Sequence, residues 1–401
     1  MADVKGDVPA QPLDASPDAK PAESNAAASN QDPPDGSELP VAVAATPSNH
    51  DFADDTLISA RAEAEWRVIG ETVPGASHLR AGIPNQDAIL HLRQSSARLP
   101  VVVSISDGHG SNKCFRSDRG SRFAVRIGAD LLDELIYGRH AALPLAEIEN
   151  RVRDGLTAEF IKRWRAAVTT DLKREPFREE EFARMVEKDG ANARLLVEAN
   201  PHLAYGATSL SFLLTPAYAL YLQLGDGEII TVSEQGEIGH PLPDDARLLA
   251  NETTSLCLDK AAADFRVAVR PHGTDNLPAL ILMTTDGYYN SFSTAAGFYQ
   301  VGSDLLQMLR EEDGFGMVNR SIKGWLEEAT AAGSGDDCTL AIICRMDALK
   351  AIRSPNDADT TAVPPITPSN AAPHTTSPQV AVTTSTQPTA SHEQSTAPKT
   401  G

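Results

Sequence analysis

From Glu65 to Met346, short apolar runs alternate with longer stretches of helical period. Trp66-Arg-Val-Ile-Gly and Asp87-Ala-Ile-Leu-His-Leu read as short strands flanking a loop that carries Gly75, Gly82 and Pro84. Val101-Val-Val-Ser-Ile-Ser is β-branched and largely apolar, as a strand buried on both faces should be, and it runs straight into Asp107-Gly-His-Gly. Phe123, Ile127, Leu131 and Leu135 recur at helical spacing, which predicts a helix over 121–137 with Gly138 as its stop. Two more helical stretches are expected near 146–168 and 179–199. Residues 208–214 and 217–224 read as strands joined by a turn at Thr215-Pro216. Ala279-Leu-Ile-Leu-Met-Thr-Thr is another buried-strand pattern, helices are expected near 303–312 and 318–332, and a last strand over 339–344 follows Gly335-Asp-Asp. Hairpins with long helical insertions give an α/β or α+β class with mostly antiparallel pairing.

Composition changes the picture at both ends. Residues 1–60 are rich in Ala, Pro, Ser and Asp, and residues 351–401 in Thr, Pro, Ser, Ala and Gln. Neither segment carries enough apolar surface to offset chain ordering, so both are expected to be disordered, which leaves 61–350 as the folded part. The net charge of −20 and the lack of a basic face argue against a nucleic-acid partner. Many of the excess acids sit in the first tail, where they favour solubility and say little about a site. The four cysteines have neither C-x-x-C nor zinc-ligand spacing, and Cys338 and Cys344 share one strand face, so reduced, buried thiols are expected. No apolar run approaches about 18 residues, and Met1-Ala-Asp-Val-Lys lacks the core of a signal peptide. A cytoplasmic protein with no membrane partner is expected.

The chemistry lies in where the acids fall. Asp107, Asp226 and Asp286 each follow an apolar strand and precede a glycine, while Asp336 stands shortly before a strand. In an antiparallel sheet the end of one strand lies beside the start of its neighbour, so these acids can converge on one edge. Carboxylates crowded there would repel one another unless cations sat between them, which is the logic of a site for Mg2+ or Mn2+. Taken singly, an Asp-Gly after a strand is more often a turn. The charge run Glu179-Glu-Glu reads as a solvated helix face, and Trp66, Trp164 and Trp325 as packing anchors. His140, His202 and His272 form no metal spacing.

The ordered set Pro84-Asn-Gln-Asp-Ala, Ser106-Asp-Gly-His-Gly, Tyr205-Gly-Ala-Thr-Ser, Leu224-Gly-Asp-Gly, Thr284-Thr-Asp-Gly and Gly335-Asp-Asp-Cys-Thr resembles the metal-dependent serine/threonine protein phosphatases of type 2C. It looks most like their bacterial branch, to which Ser77-His-Leu-Arg and Arg116-Ser-Asp-Arg-Gly-Ser-Arg also correspond. The resemblance implies an α+β fold, a two-sheet antiparallel β-sandwich flanked by helices, with two Mn2+ or Mg2+ ions at one end. By that resemblance Asp107 would bridge both ions, the Gly108 carbonyl would bind one, and Asp286 and Asp336 would hold the other. Asp87, with Gln86 beside it, would hydrogen-bond metal-bound water, and Asp226 would help hold a weaker third ion. Two ions would make hydroxide available for in-line attack on the phosphorus of a phosphoserine or phosphothreonine, with His109 as the acid for the leaving oxygen.

Three positions depart from the family pattern. Gln86 stands where many members have Glu, Asn290 where many have an Asp of the third site, and Gly82 where many carry a phosphate-binding Arg. Arg80 is the nearest substitute, with Arg93, Arg116 and Arg119 as alternatives. The implied function is dephosphorylation of a protein substrate, with a Ser/Thr kinase as the partner that bacterial members often work against. The alternative is a phosphatase-like domain, weak or inactive in catalysis, that binds and regulates a signalling partner. No G-x-x-x-x-G-K-[ST], H-E-x-x-H or G-x-S-x-G occurs to suggest another hydrolase.

Overall fold

The structure, a computed structural model, describes residues 65–92, 99–137, 144–243, 254–272 and 277–350. The two tails expected to be disordered lie outside the described residues, as do Arg93, Gly138 and His140.

The described strands form two five-stranded sheets, antiparallel at every pairing. One runs β1 (Trp66–Val73), β10 (Cys338–Arg345), β9 (Leu280–Thr284), β6 (Glu228–Val232), β7 (Ile238–Gly239). The other runs β2 (Ala88–Leu92), β3 (Val101–Ser106), β4 (Ser209–Leu214), β5 (Tyr218–Leu224), β8 (Arg266–Pro271). The helices are α1 (Ala76–Ala81), α2 (Ser117–Tyr137), α3 (Leu145–Arg151), α4 (Thr157–Arg174), α5 (Glu179–Asp189), α6 (Ala191–Ala199), α7 (Ala261–Asp264), α8 (Asp286–Tyr289), α9 (Ala295–Arg310) and α10 (Gly314–Ala332). None of the described helices is long and apolar enough to cross a membrane.

Strand alternation explains why the apolar runs are continuous. Val101, Val103 and Ile105 of β3 join Phe212, Tyr221, Ile281, Met283, Ala341 and Ile343 in the layer between the sheets. Val102, on the opposite face of β3, packs with Ala129 and Leu132 of α2. On the other sheet Leu340, Ile342 and Cys344 meet Phe298, Leu305, Val318 and Ile322 of α9 and α10. Each central strand is thus covered on both faces, by the partner sheet and by helices, so both of its side-chain rows are selected for apolarity. The polar exceptions in β3 are matched across the ladder. Ser104 faces Ser211, their hydroxyls 2.7 Å apart. All four cysteines are buried and unbridged, and Trp66 and Trp164 are core residues, with Trp325 packed at the core's margin.

Strand and helix centres fall where the pattern predicts, and most departures are at ends. The helix expected near 179–199 is two helices, broken at Gly190, whose φ of +81° a side chain would strain. The stretch near 146–168 extends from Leu145 to Arg174, with a wider turn over Val152–Leu156. The pattern reading does not predict α1, β6, β7 or β8; α1 is only six residues long, too short for a helical period to register.

Candidate metal centre

Antiparallel register gathers the acids. Ala88 opens β2 opposite Ser106 at the close of β3, and Thr284 ends β9 between Glu228 at the start of β6 and Leu340 near the start of β10. Asp87, Asp107, Asp226, Asp286 and Asp336 flank these strand ends, so they emerge at the same end of the sandwich. The Asp107 loop then runs alongside the entry to β4. Asp107 N–H donates to Thr208 Oγ1 (2.9 Å), Thr208 N–H to the Asp107 carbonyl (2.8 Å), and His109 N–H to the Gly206 carbonyl (3.1 Å). Glycine is required in that loop. A Cβ on Gly108 would sit 2.6 Å from the Gln86 carbonyl oxygen and 2.8 Å from that of Ser117.

Asp107, Asp226 and Asp286 each offer a carboxylate oxygen within 4.8 Å of the others. Asp336 belongs to a neighbouring group with His78 and Asp337. Its charge still reaches both Asp107 and Asp286. Asp87 is buried below. Its Oδ2 accepts from the hydroxyls of Thr285 (2.8 Å) and Thr339 (2.6 Å), while its buried Oδ1 has no protein donor. Burial, reinforced by neighbouring carboxylates, pushes Asp107 well above the usual carboxylate range, Asp286 up to about 6 and Asp87 up to about 7. An all-oxygen set whose members resist ionising together, with a buried carboxylate oxygen lacking a donor, fits hard divalent cations such as Mn2+ or Mg2+. The Asn290 amide donates to Asp286 Oδ2 (3.0 Å), so the residue that departs from the family pattern is tied to this carboxylate.

These shifts have a defined sign. The carboxyls hold protons more tightly folded than unfolded, so their contribution to stability is complete below about pH 4 and is lost as pH rises through about 6 for Asp286 and about 7 for Asp87. Protons and a cation compete for the same oxygens. The rise in Tm on adding Mn2+ to chelator-treated protein is therefore expected to be several degrees larger at pH 8 than at pH 5.5. A rise that is equal at both pH values would sink this account of the centre.

Two residues that stand in quoted motifs but carry no role in the sequence analysis bind those motifs together. Asp337, almost fully buried, accepts from the N–H groups of Gly75 and Gln86 (2.6 Å each) and lies 2.9 Å from His78 Nδ1. His78 Nε2 in turn stands 3.6 Å from Asp336 Oδ1. The hydrogen bond to Asp337 raises the His78 pKa above its usual value. Ser77-His-Leu-Arg and the doubled acid of Gly335-Asp-Asp were both visible in the chain. Which of the two acids points inward depends on the turn at Gly335, whose φ is +78°. His109 lies half-buried beside Gly206, and desolvation lowers its pKa against the opposing pull of Asp226.

The arginine alternatives separate cleanly. Arg80 is exposed on α1. Arg116 is 2 % exposed and fully engaged: its guanidinium donates to Glu181 at 2.8 and 2.9 Å, to the Glu175 and Pro176 carbonyls, and to the Tyr205 hydroxyl. Arg119 pairs with Asp171 (2.9 Å) and Glu175 (2.8 Å). Both guanidiniums are engaged by acids of the fold itself. Glu181, read as solvated from the run Glu179-Glu-Glu, is instead the largely buried partner of Arg116.

A family model described as protein phosphatase 2C matches residues 74–327, a span that ends before the Asp336 turn. No curated protein matches the sequence. Among solved structures, the chain is similar to the serine/threonine phosphatase PstP/Ppp of Mycobacterium tuberculosis at 15% identity and TM-score 0.41, covering 70% of this chain and 98% of that one. It is similar to Stp1 from Staphylococcus aureus at 13% identity and TM-score 0.43, covering 69% and 94%. It is also similar, at 14% identity and TM-score 0.44, to a C. elegans sex determining protein, covering 72% and 68%.

Proposed function

The chain belongs to the protein phosphatase 2C family, and from that premise we propose that it hydrolyses phosphoserine and phosphothreonine in proteins with the help of divalent cations. The observation that carries the reading is the gathering of Asp107, Asp226 and Asp286 oxygens within 4.8 Å, with Asp107 and Asp286 holding their protons more tightly than carboxyls usually do. Asp107, Asp286 and Asp336, with the Gly108 carbonyl, would hold two ions, and Asp226 would add to a weaker third. Bound there, Mn2+ or Mg2+ would neutralise the acids and supply Lewis-acid activation of water and phosphoryl oxygen.

The protein's own groups do the rest. Asp87 Oδ1 is left to accept from water entering the centre, while Thr285 and Thr339 fix its other oxygen. Gln86, buried with its Oε1 free of protein donors, offers a second acceptor without adding charge. His109 would protonate the leaving serine or threonine oxygen; desolvation lowers its pKa, and the charge of Asp226 opposes that loss of the imidazolium form. Arg80, exposed on α1, would be the cation that meets the incoming phosphate. We assign the catalytic unit to residues 61–350 and the protein to the cytoplasm, acting on the products of a Ser/Thr kinase.

The test is phosphate release from a phosphothreonine peptide with Mn2+ and with chelator. Mn2+-dependent turnover is expected, and trimming residues 1–51 should leave it nearly unchanged. Equal background in both conditions would favour the alternative, a domain that binds and regulates a partner without turnover.

A further inference from the structure

Next to the acid centre, a cavity of about 540 Å3 opens between the Gly110–Lys113 segment and the elbow of α5 and α6. Gly110 follows His109 directly, so the cavity begins where the catalytic loop ends. Its walls are fixed to that loop. Asn112 Nδ2 donates to Asp189 Oδ1 at the end of α5 (2.7 Å), and the Arg116–Glu181 pair ties the same loop to the start of α5. The lining is largely polar, with Ser111, Asn112, Asn192 and the Asp189 carboxylate, which is engaged by Asn112, around one apolar and one cationic side chain. Leu196 contributes apolar surface and is 53% exposed, with Leu195 beside it in sequence at 63%. Lys113 contributes a cation that pairs with no acid among the described residues. A leucine left open to solvent beside an unpaired ammonium, in an open recess that begins next to His109, suits an extended peptide that leads away from its phosphorylated residue.

We propose that this cavity is a substrate subsite, resting on the phosphatase reading above, that takes the segment flanking the phosphoresidue and favours an apolar side chain on Leu196 and an acidic one at Lys113. Specificity would then come from the α5–α6 elbow rather than from the acid centre, which sees only the phosphoryl group.

The experiment uses the full chain with Mn2+ and three substrates. These are p-nitrophenyl phosphate, a phosphothreonine peptide with Leu and Glu beside the phosphoresidue (tried on each side), and its counterpart with Ser and Lys. The wild type is expected to prefer the Leu/Glu peptide. Leu196→Asp and Lys113→Glu should each lower kcat/KM on it by about tenfold, mainly through KM, with p-nitrophenyl phosphate turnover unchanged. Lys113→Glu should also raise turnover of the Ser/Lys peptide, a reversal that mere loosening of the fold would not produce. Peptide kinetics indifferent to both substitutions, or losses equal on peptide and p-nitrophenyl phosphate, would overturn the subsite. Failure of the wild type to hydrolyse p-nitrophenyl phosphate would overturn the phosphatase reading itself, and the subsite with it.

Discussion

Asp107→Asn is expected to lower metal-dependent phosphate release by about a thousandfold or more, because it removes one charge from the group whose oxygens meet within 4.8 Å. The same change should leave the chelated protein at least as stable as the wild type. Asp107 is half-buried, and its ionised form is opposed by desolvation and by the charges of Asp87, Asp286 and Asp336, so a neutral amide relieves that cost when no cation is bound. Loss of turnover with a maintained or raised Tm in chelator would mark a chemical defect rather than unfolding. Asp336→Asn should cost less, about 10–100-fold. Its side chain is about half exposed and stands with His78 and Asp337 rather than with the central three. Calorimetric titration with Mn2+ gives an independent readout, with affinity falling most for Asp107→Asn. If that variant kept half of the wild-type rate, the assignment of the centre would be wrong.

Arg116→Ala is expected to destabilise the fold by about 3–5 kcal/mol, the usual cost of removing one partner of a buried ion pair. The guanidinium is the node that joins the loop after Cys114 to Glu181, to two backbone carbonyls and to Tyr205, and it lies over the Phe177 ring at 4.8 Å. Removing it leaves the Glu181 carboxylate and the Tyr205 hydroxyl without this donor in a buried setting. Chemical denaturation should show the loss as a lower midpoint, and Arg116→Lys should recover only part of it, since an ammonium cannot reproduce the two-pronged contact with Glu181. An unchanged midpoint with a raised KM for phosphopeptide would instead return Arg116 to the role of phosphate ligand that the sequence alone left open. Arg80→Ala is the contrasting case, with a raised KM and an unchanged midpoint.

What can be read from the chain is what neighbouring residues dictate. Val101–Ser106 announces a strand covered on both faces because its β-branched run meets no polar interruption until Ser104. The Asp-Gly pairs after β3 and β5 announce the chain leaving the strand, Gly108 by allowing close approach to Gln86 and Ser117, whereas the pair after β9 opens α8. Antiparallel pairing then follows from the hairpin at Thr215-Pro216, and with it the expectation that strand-end acids converge.

Partner choice could not be read there. Asp337 takes its hydrogen bond from Gly75 across 262 residues, and Asp87 takes one from Thr285 across 198. No local pattern distinguishes Asp336, half open to solvent, from Asp337, buried behind it, or the buried Arg116 from the exposed Arg80. Near-neighbour pattern settles most of the strands, the longer helices and the acids at strand ends, because periodicity and turn chemistry act over a few residues, while α1, β6, β7 and β8 escape it. Folding settles which carboxylates gather, which cation is consumed in holding the α5 segment, and where a recess opens beside the Asp107 loop. Burial and pairing depend on chain segments that meet only after the two sheets have closed on each other.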